Sequence, residues 1–346
     1  MPPMNCDSHL SSADHRSSSS NLRLVFALIA AVFLAGASSL AAADRAGGVR
    51  SDGTGVTVAA TGDIAAAGAK VVSDVILAHP AVSAVLLAGD TNNATPTPLE
   101  TYHRLYAGTY DRFREKIFPA PGNHDRYSEP LFSAYRAFWG PAAHGPEMYY
   151  SFELGGWHIV SLDSYNYYST GGAAAAAQLA WLKADLAANP RKPTLVYWHH
   201  PLFSRAKHDG NPKMKPFWDA IYAHGPALVV NGHNHVYERF GPLDPNGQLV
   251  AENRGIQQFQ ISPGGAAPVD TQNSTEGPAP AKFHGDAYHV GFFTLHSDGG
   301  YRYTINSVDR SGATAVVDTG AGNLLGGPNP RRASTPSAAS ISPGAP

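Results

Sequence analysis

The sequence predicts a layered α/β fold, and three observations carry that prediction. Several short apolar runs end in a glycine or a hydrogen-bonding side chain, as in VTVAATGD (to Asp63), AVLLAGD (to Asp90), TLVYWHHP (to Pro201) and ALVVNGHNH (to His235). Runs of that length bounded by turn residues read as buried strands. Between them lie stretches with apolar residues at helical spacing, the alternation expected of sheets covered by helices. Near the end, VGFFTLHSDGGYRYTINSVD alternates apolar and polar residues around Asp298-Gly299-Gly300, a hairpin signature.

In chain order, Arg16 and Arg23 precede an apolar run from Leu24 to Gly36, and Leu40-Ala41-Ala42-Ala43 supplies small residues ahead of Asp44. This is the form of a secretory signal peptide over 1–43, and the run is short of the ~20 residues that cross a bilayer. An exported protein, secreted or periplasmic and without a stable membrane span after cleavage, is expected. Cys6, the single cysteine, would leave with the signal, so neither a disulfide nor a thiolate serves the mature chain.

After a polar linker over 44–54, one domain is expected over 55–318. Within it Thr97-Pro98-Leu99-Glu100 has capping-box form. Leu99, Tyr102, Leu105, Tyr106, Tyr110 and Phe113 follow as a core-facing stripe. A second helix carries Leu179, Leu182 and Leu186 and stops at Asn189-Pro190. Past Arg239 come IQQFQISPGG, a Gly/Pro/Ala-rich loop over 264–280 and the hairpin. The segment 319–346 is dominated by Gly, Pro, Ser, Ala and Asn and is expected to be a disordered tail, since it offers little burial to offset its ordering entropy.

With 346 residues, 43% hydrophobic and 15% charged, the chain has enough apolar content for a substantial core. A formal net charge of −2 gives no basic field for a nucleic-acid backbone, so nucleic acid is not expected as a structural partner.

The blocks Gly62-Asp63, Gly89-Asp90, Gly122-Asn123-His124-Asp125, His199-His200-Pro201 and Gly232-His233-Asn234-His235 each follow an apolar run. Strand carboxyl ends are where open α/β sheets collect ligands, so the five blocks can meet in one patch. Carboxylate, carboxamide and imidazole are donors for divalent metals. A lone Asp is as often a cap, a lone Asn a turn residue and a lone His a hydrogen-bonded one; the ordered set points to coordination.

The order and residues of these blocks resemble the calcineurin-like metallophosphoesterase superfamily, and most of all its purple acid phosphatase branch and secreted bacterial relatives of that branch. The resemblance spans roughly residues 55 to 300, with GNHD and GHNHVYER its most specific parts. It implies a four-layer α/β/β/α sandwich of two packed mixed β-sheets and a centre of two divalent ions, with Fe, Mn or Zn the candidates. Asp90 would bridge the metals, Asp63 and His235 would complete one, and Asn123, His199 and His233 the other. His233 and His235, two apart, would point the same way in an extended segment, with Gly232 easing the turn. Two positions depart from the pattern. Ala65 stands where many members have a histidine, and Asn93 stands where purple acid phosphatases have a tyrosine ligand, so a weaker first metal is expected, with Asn93 or water filling the gap.

The chemistry the resemblance implies is hydrolysis of phosphate monoesters by a metal-bound hydroxide, with His124 as acid or transition-state clamp. His208, nine residues after His199, would be a second substrate-facing histidine. His200 is read as structural support, and Asp125 as an orienter of His124 or of a ligand histidine. Glu238 and Arg239 are read as a structural pair, and His103, His158, His224, His284, His289 and His296 as ordinary fold histidines. Phosphodiester hydrolysis at the same site is the near alternative. Non-catalytic binding of phosphate or a partner, motivated by Ala65 and Asn93, is the other.

Overall fold

The computed structural model describes residues 55–326 apart from Glu129 and Val269. The expected signal peptide, Cys6, the linker and the segment from 327 onward lie outside the described residues.

Two mixed sheets form the frame. The first runs β13 (Thr314–Asn323), β12 (Gly300–Val308), β11 (Tyr288–Leu295), β1 (Val56–Thr61), β2 (Val82–Ala88) and β3 (Ile117–Ala120). In it β1, β2 and β3 are parallel, and β11 to β13 are added antiparallel. The second runs β10 (Lys282–His284), β8 (Tyr237–Arg239), β9 (Ile256–Ile261), β7 (Ala227–Asn231), β6 (Thr194–Tyr197), β5 (Trp157–Ser161) and β4 (Tyr150–Leu154). Here β5, β6, β7 and β9 are parallel.

Side chains alternate between the two faces of each strand, and on the parallel strands β1, β2, β3, β5, β6, β7 and β9 both faces are buried. Val58, Ala60, Leu86, Ala88, Phe118, Leu195, Tyr197, Leu228 and Val230 meet between the sheets. Their neighbours Ala59, Val85 and Leu87 face outward onto α1 (Ala69–Leu77), α2 (Leu99–Tyr106) and α3 (Ser133–Trp139). Val160, Val196, Trp198 and Val229 face α5 (Gly172–Ala188) and α6 (Lys215–His224), which follow the short α4 (Ser164–Thr170). The result is the four-layer sandwich expected. Each fully buried Leu or Val contributes about 1.5–3 kcal/mol, and the buried β2 alone carries Val85, Leu86 and Leu87 at 0% exposure. Such uninterrupted burial explains why the strands read as continuous apolar runs.

Three expectations need correction. The capping box does not form: α2 has Pro98 as its N-cap with no side-chain cap bond, because the Thr97 hydroxyl donates instead to the His124 carbonyl at 3.0 Å. The stripe also divides. Leu99 is 36% exposed, and Tyr110 and Phe113 are buried from a separate 3₁₀ turn, Tyr110–Lys116. Third, the boundary expected at 318 falls inside β13, whose pairing with β12 runs from Thr314 to Asn323. Its glycines answer a packing need. A Cβ at Gly320 would collide with the Tyr303 ring, and one at Gly322 would come within 2.6 Å of the Tyr301 hydroxyl, so small residues let this strand close over two tyrosines. Asp318 fastens it, accepting from the Tyr237 hydroxyl and the Arg239 Nε, each at 2.7 Å. The hairpin at 298–300 and the helix ending at Asn189 form as expected.

Candidate metal centre

The parallel strands within each sheet end side by side, and the predicted donors sit just beyond the carboxyl ends of β1, β2, β3, β6 and β7. At three of these ends the backbone is left-handed: Asp63 at φ 60°, Asp90 at φ 46° and His233 at φ 80°. Non-glycine residues in that region cost about 1–3 kcal/mol each and persist only where neighbours hold them. Here the loops hold one another. Asp63 N donates to Gly89 O at 3.1 Å, Ile64 N to Asp90 O at 2.9 Å, and His233 N to Asp63 Oδ2 at 2.9 Å. The positive φ thus falls on His233 rather than Gly232, the segment is not extended, and His233 and His235 serve different neighbours.

His235 Nε2 faces Asp63 Oδ1 at 3.4 Å, whereas the His233 ring lies 5.0 Å from that of His199 and 4.4 Å from that of His200. His199 Nε2 lies 3.2 Å from Asp90 Oδ2, 3.1 Å from Asn123 Oδ1 and 4.0 Å from Asp63 Oδ1. Asp90 therefore stands between an Asp63/His235 pole and a His199/Asn123/His233 pole. The other nitrogen of both key histidines is tied to backbone: His199 Nδ1 donates to Ala88 O at 3.0 Å and His235 Nδ1 to Ala267 O at 2.9 Å. That bond selects the tautomer whose Nε2 lone pair points inward, the arrangement of metal-binding histidines.

Electrostatics match. Burial alone would push the Asp63 carboxyl up, but His199 and His235 overrule it and hold it well below the carboxylate range. Burial would likewise push His199 down, yet the Asp90 and Asp63 charges pull it up to about 9. His235 rises to about 9 against burial through Asp63. His233 falls to about 3 through burial and the His199 charge, which leaves it neutral and able to donate a lone pair. Two buried carboxylates thus draw positive charge toward the imidazoles that face them. Asp63, Asp90 and His199 bring ligand atoms within 4.8 Å of one another. The set fits a divalent ion by donor type, burial and convergence.

The family profile described as calcineurin-like phosphoesterase matches residues 56–237. This chain belongs to the calcineurin-like phosphoesterase family. Purple acid phosphatase 18 of Arabidopsis thaliana is 30% identical over 168 residues, covering 40% of this chain and 38% of that relative. The chain matches only about two fifths of the length of such curated relatives. In fold it resembles GAP50, described as the anchor in the inner membrane complex of Plasmodium (TM-score 0.59, 14% identity, 78% of this chain and 89% of that one). It also resembles the purple acid phosphatase PPD1 of yellow lupin (TM-score 0.58, 14% identity, 79% of this chain and 54% of that one).

Around the candidate metal centre the remaining predicted residues sort as follows. His124 is fixed at Nδ1 by Ala94 O at 3.0 Å and the Thr95 hydroxyl at 2.9 Å, which leaves Nε2 4.0 Å from Asp90 Oδ2 on a partly exposed ring. His208 is exposed, its ring 5.1 Å from that of His233, on a loop held by Asn234 Oδ1 accepting from His208 N at 2.7 Å. His200 is near enough to His199 and His233 to share an ion, but both its ring nitrogens are engaged, by the Ser164 hydroxyl at 2.9 Å and the Tyr168 hydroxyl at 3.2 Å. Asn93 directs its amide nitrogen at Asp90 Oδ2 (3.1 Å) and Asp63 Oδ1 (3.3 Å). Rotating the carboxamide by half a turn would present its oxygen to an ion there. Ala65 brings no donor.

Among the described residues Asp125 makes no hydrogen bond to a histidine side chain. It accepts from Thr91 N, Asn92 N, Gly122 N and the hydroxyls of Thr91 and Tyr102, clamping the loops after β2 and β3 together. Glu238 and Arg239 do not pair with each other either: Glu238 accepts from the Ser204 hydroxyl and Arg205 N, while Arg239 binds Asp318. Sequence reasoning missed Ser262, whose hydroxyl donates to Asp63 Oδ2 at 2.6 Å, and Asp270, which accepts from His235 N at 2.8 Å. Ser262 was detectable, since it directly follows β9 as the other donors follow their strands.

Proposed function

We propose that this chain is a metal-dependent phosphoric ester hydrolase acting on small phosphate monoesters, through two divalent ions held by Asp63, Asp90, Asn123, His199, His233 and His235. The observation that carries the reading is the convergence of these six side chains from five strand ends, with His199 and His235 locked to present Nε2 inward. When bound, such ions neutralise phosphoryl oxygens and acidify water.

The chain's own contribution is positioning. Asp90 Oδ1 is oriented by His124 N at 2.7 Å, so the central carboxylate and the backbone of the proposed acid move as one. The His124 ring, fixed at Nδ1, offers Nε2 for a proton to the leaving oxygen and a hydrogen bond to the phosphoryl group. His208 supplies a second imidazole from the open side. Export remains part of the proposal, supported by the basic residues and apolar run ahead of Asp44. Among the described residues no helix is long and apolar enough to cross a membrane.

The test is metal analysis together with turnover of aryl phosphate mono- and diesters by protein reconstituted with Mn, Fe or Zn. Two ions per chain and monoester turnover abolished in Asp90→Ala are expected. His124→Ala should lose about 10²–10⁴-fold in turnover while retaining metal. Ala65 and the amide of Asn93 favour one second reading, a phosphate- or partner-binding protein without turnover. Under that reading no metal restores hydrolysis and His124→Ala changes little.

A further inference from the structure

Arg126 follows the GNHD block and has no part in the metal centre or in the Asp125 clamp. Its guanidinium lies 4.2 Å from the Tyr127 ring and 4.9 Å from the Tyr165 ring, and Nη2 donates to the Tyr127 hydroxyl at 2.9 Å. Nε is shielded from solvent and has no hydrogen-bond partner. Among the described residues no carboxylate forms an ion pair with it; the adjacent Asp125 is saturated by five donors. A guanidinium clamped by two aromatic rings yet left without an anion is a fork held ready for one.

Its place in the fold says which anion. Tyr127 meets the His124 ring edge-on at 5.5 Å. On the other side Tyr165 meets Tyr168 at 5.4 Å, the Tyr168 hydroxyl binds His200 Nε2 at 3.2 Å, and His200 lies 4.4 Å from His233. Arg126 thus stands midway along a continuous half-buried wall from the proposed acid to the proposed metal ligands. Tyr165 and Tyr168 come from α4, just beyond the carboxyl end of β5, the same edge that carries the donors.

We propose that Arg126, with Tyr127 and Tyr165 holding it, forms a subsite for a second oxyanion on the leaving portion of the substrate, a further phosphate or a carboxylate. The proposal rests on the phosphoesterase reading and names a substrate class for it: esters that carry a second anion close to the scissile phosphate. The cation is already immobilised by the rings, so little side-chain freedom is lost on binding.

The experiment measures affinity of the Mn-loaded protein for methylenediphosphonate, phosphonoacetate and methylphosphonate by calorimetry, in the wild type, Arg126→Gln and Arg126→Lys. Arg126→Gln should weaken one or both of the probes with a second acid group about 10- to 100-fold more than methylphosphonate, the scale of a lost charge-assisted pair. The probe that loses more identifies the oxyanion. Arg126→Lys keeps a charge over the tyrosines but not the fork, and should recover only part of the loss. Equal weakening of all three probes, or none, overturns the subsite. In parallel, kcat/KM for 2,3-bisphosphoglycerate, an ester carrying both a second phosphate and a carboxylate, relative to phenyl phosphate should fall by a similar factor in Arg126→Gln. If the wild type turns over neither substrate, the hydrolase reading fails while the affinity ratios still decide the role of Arg126.

Discussion

Gly122→Ala tests whether the spacing of two loops sets the centre. Gly122 follows β3, and its N–H donates to Asp125 Oδ2 at 2.8 Å. A Cβ there would collide with both the amide nitrogen and Oδ1 of Asp90, and would stand 2.9 Å from its Cγ. Asp90 cannot retreat cheaply. Its backbone is already left-handed at φ 46°, its Oδ1 holds His124 N at 2.7 Å, and the Gly89 before it packs directly on the His199 ring. The loops after β2 and β3 must therefore part by about 1 Å, a displacement that costs on the order of 10²-fold in rate when it separates reacting groups. Overpacking of this kind costs about 1–3 kcal/mol, and at about 2–4 °C per kcal/mol in a domain of this size Tm should fall by about 5 °C. Initial rates on an aryl phosphate, calorimetric titration with Mn and thermal melting would be compared with Gly285→Ala, whose Cβ would meet nothing nearer than 3.4 Å. The control should be silent in all three. A Gly122→Ala protein with wild-type metal affinity and rate would refute the argument that contact between these loops positions Asp90 against Asn123 and His124.

Ser262→Ala removes one of two donors to Asp63 Oδ2, the other being His233 N. Supporting hydrogen bonds of this kind are worth about 10–100-fold in metal affinity, so the weaker of two ions should be lost first in a Mn titration, and unchanged affinity for both would contradict the role given to Ser262. His158 tests electrostatics remote from the site: it is buried between Asp185 Oδ2 at 2.6 Å and Glu153 Oε1 at 3.0 Å. Burial would lower its pKa, but these carboxylates raise it above 6.5. A raised imidazole pKa contributes stability that is fully present below about 6.5 and is lost as pH rises through the folded value. His158→Gln should accordingly cost more at pH 6 than at pH 9 in urea melts, by about 1.4 kcal/mol for every tenfold by which folding tightens the hold on the proton; an equal cost at both pH values would show that the histidine is not charged in the fold.

The parts of this molecule legible in the sequence are those written along one dimension. Buried strands such as VLLA in β2 advertise themselves by unbroken apolar character, and each ligand candidate follows within a few residues of the end of such a run. What sequence alone misleads about depends on pairing across the chain. Asp125 adjoins His124 in sequence, yet its partners Thr91 and Tyr102 come 34 and 23 positions earlier, so adjacency suggests a histidine where space supplies a loop. Gly320 and Gly322 look like tail residues until Tyr303 and Tyr301 are brought beneath them by β12. Composition reports that a segment lacks side chains, but not that its neighbour needs the room.

The same reasoning separates the donors from the wall beside them. Asp63, Asp90 and His233 share one local signature, a glycine and a left-handed turn at a strand end, because a backbone that must bring a short side chain back over its own strand has few ways to do so. Arg126, Tyr165 and Tyr168 need no special backbone: they reach the centre from a loop and a helix, where arginine and tyrosine are ordinary. Metal coordination demands geometry at the main chain and so leaves a trace in sequence, whereas recognition of the rest of a substrate demands only long side chains at the rim. For this chain the candidate donors are therefore readable from spacing, while the proposed subsite becomes visible only when Arg126 is seen between two rings with no carboxylate paired to it among the described residues.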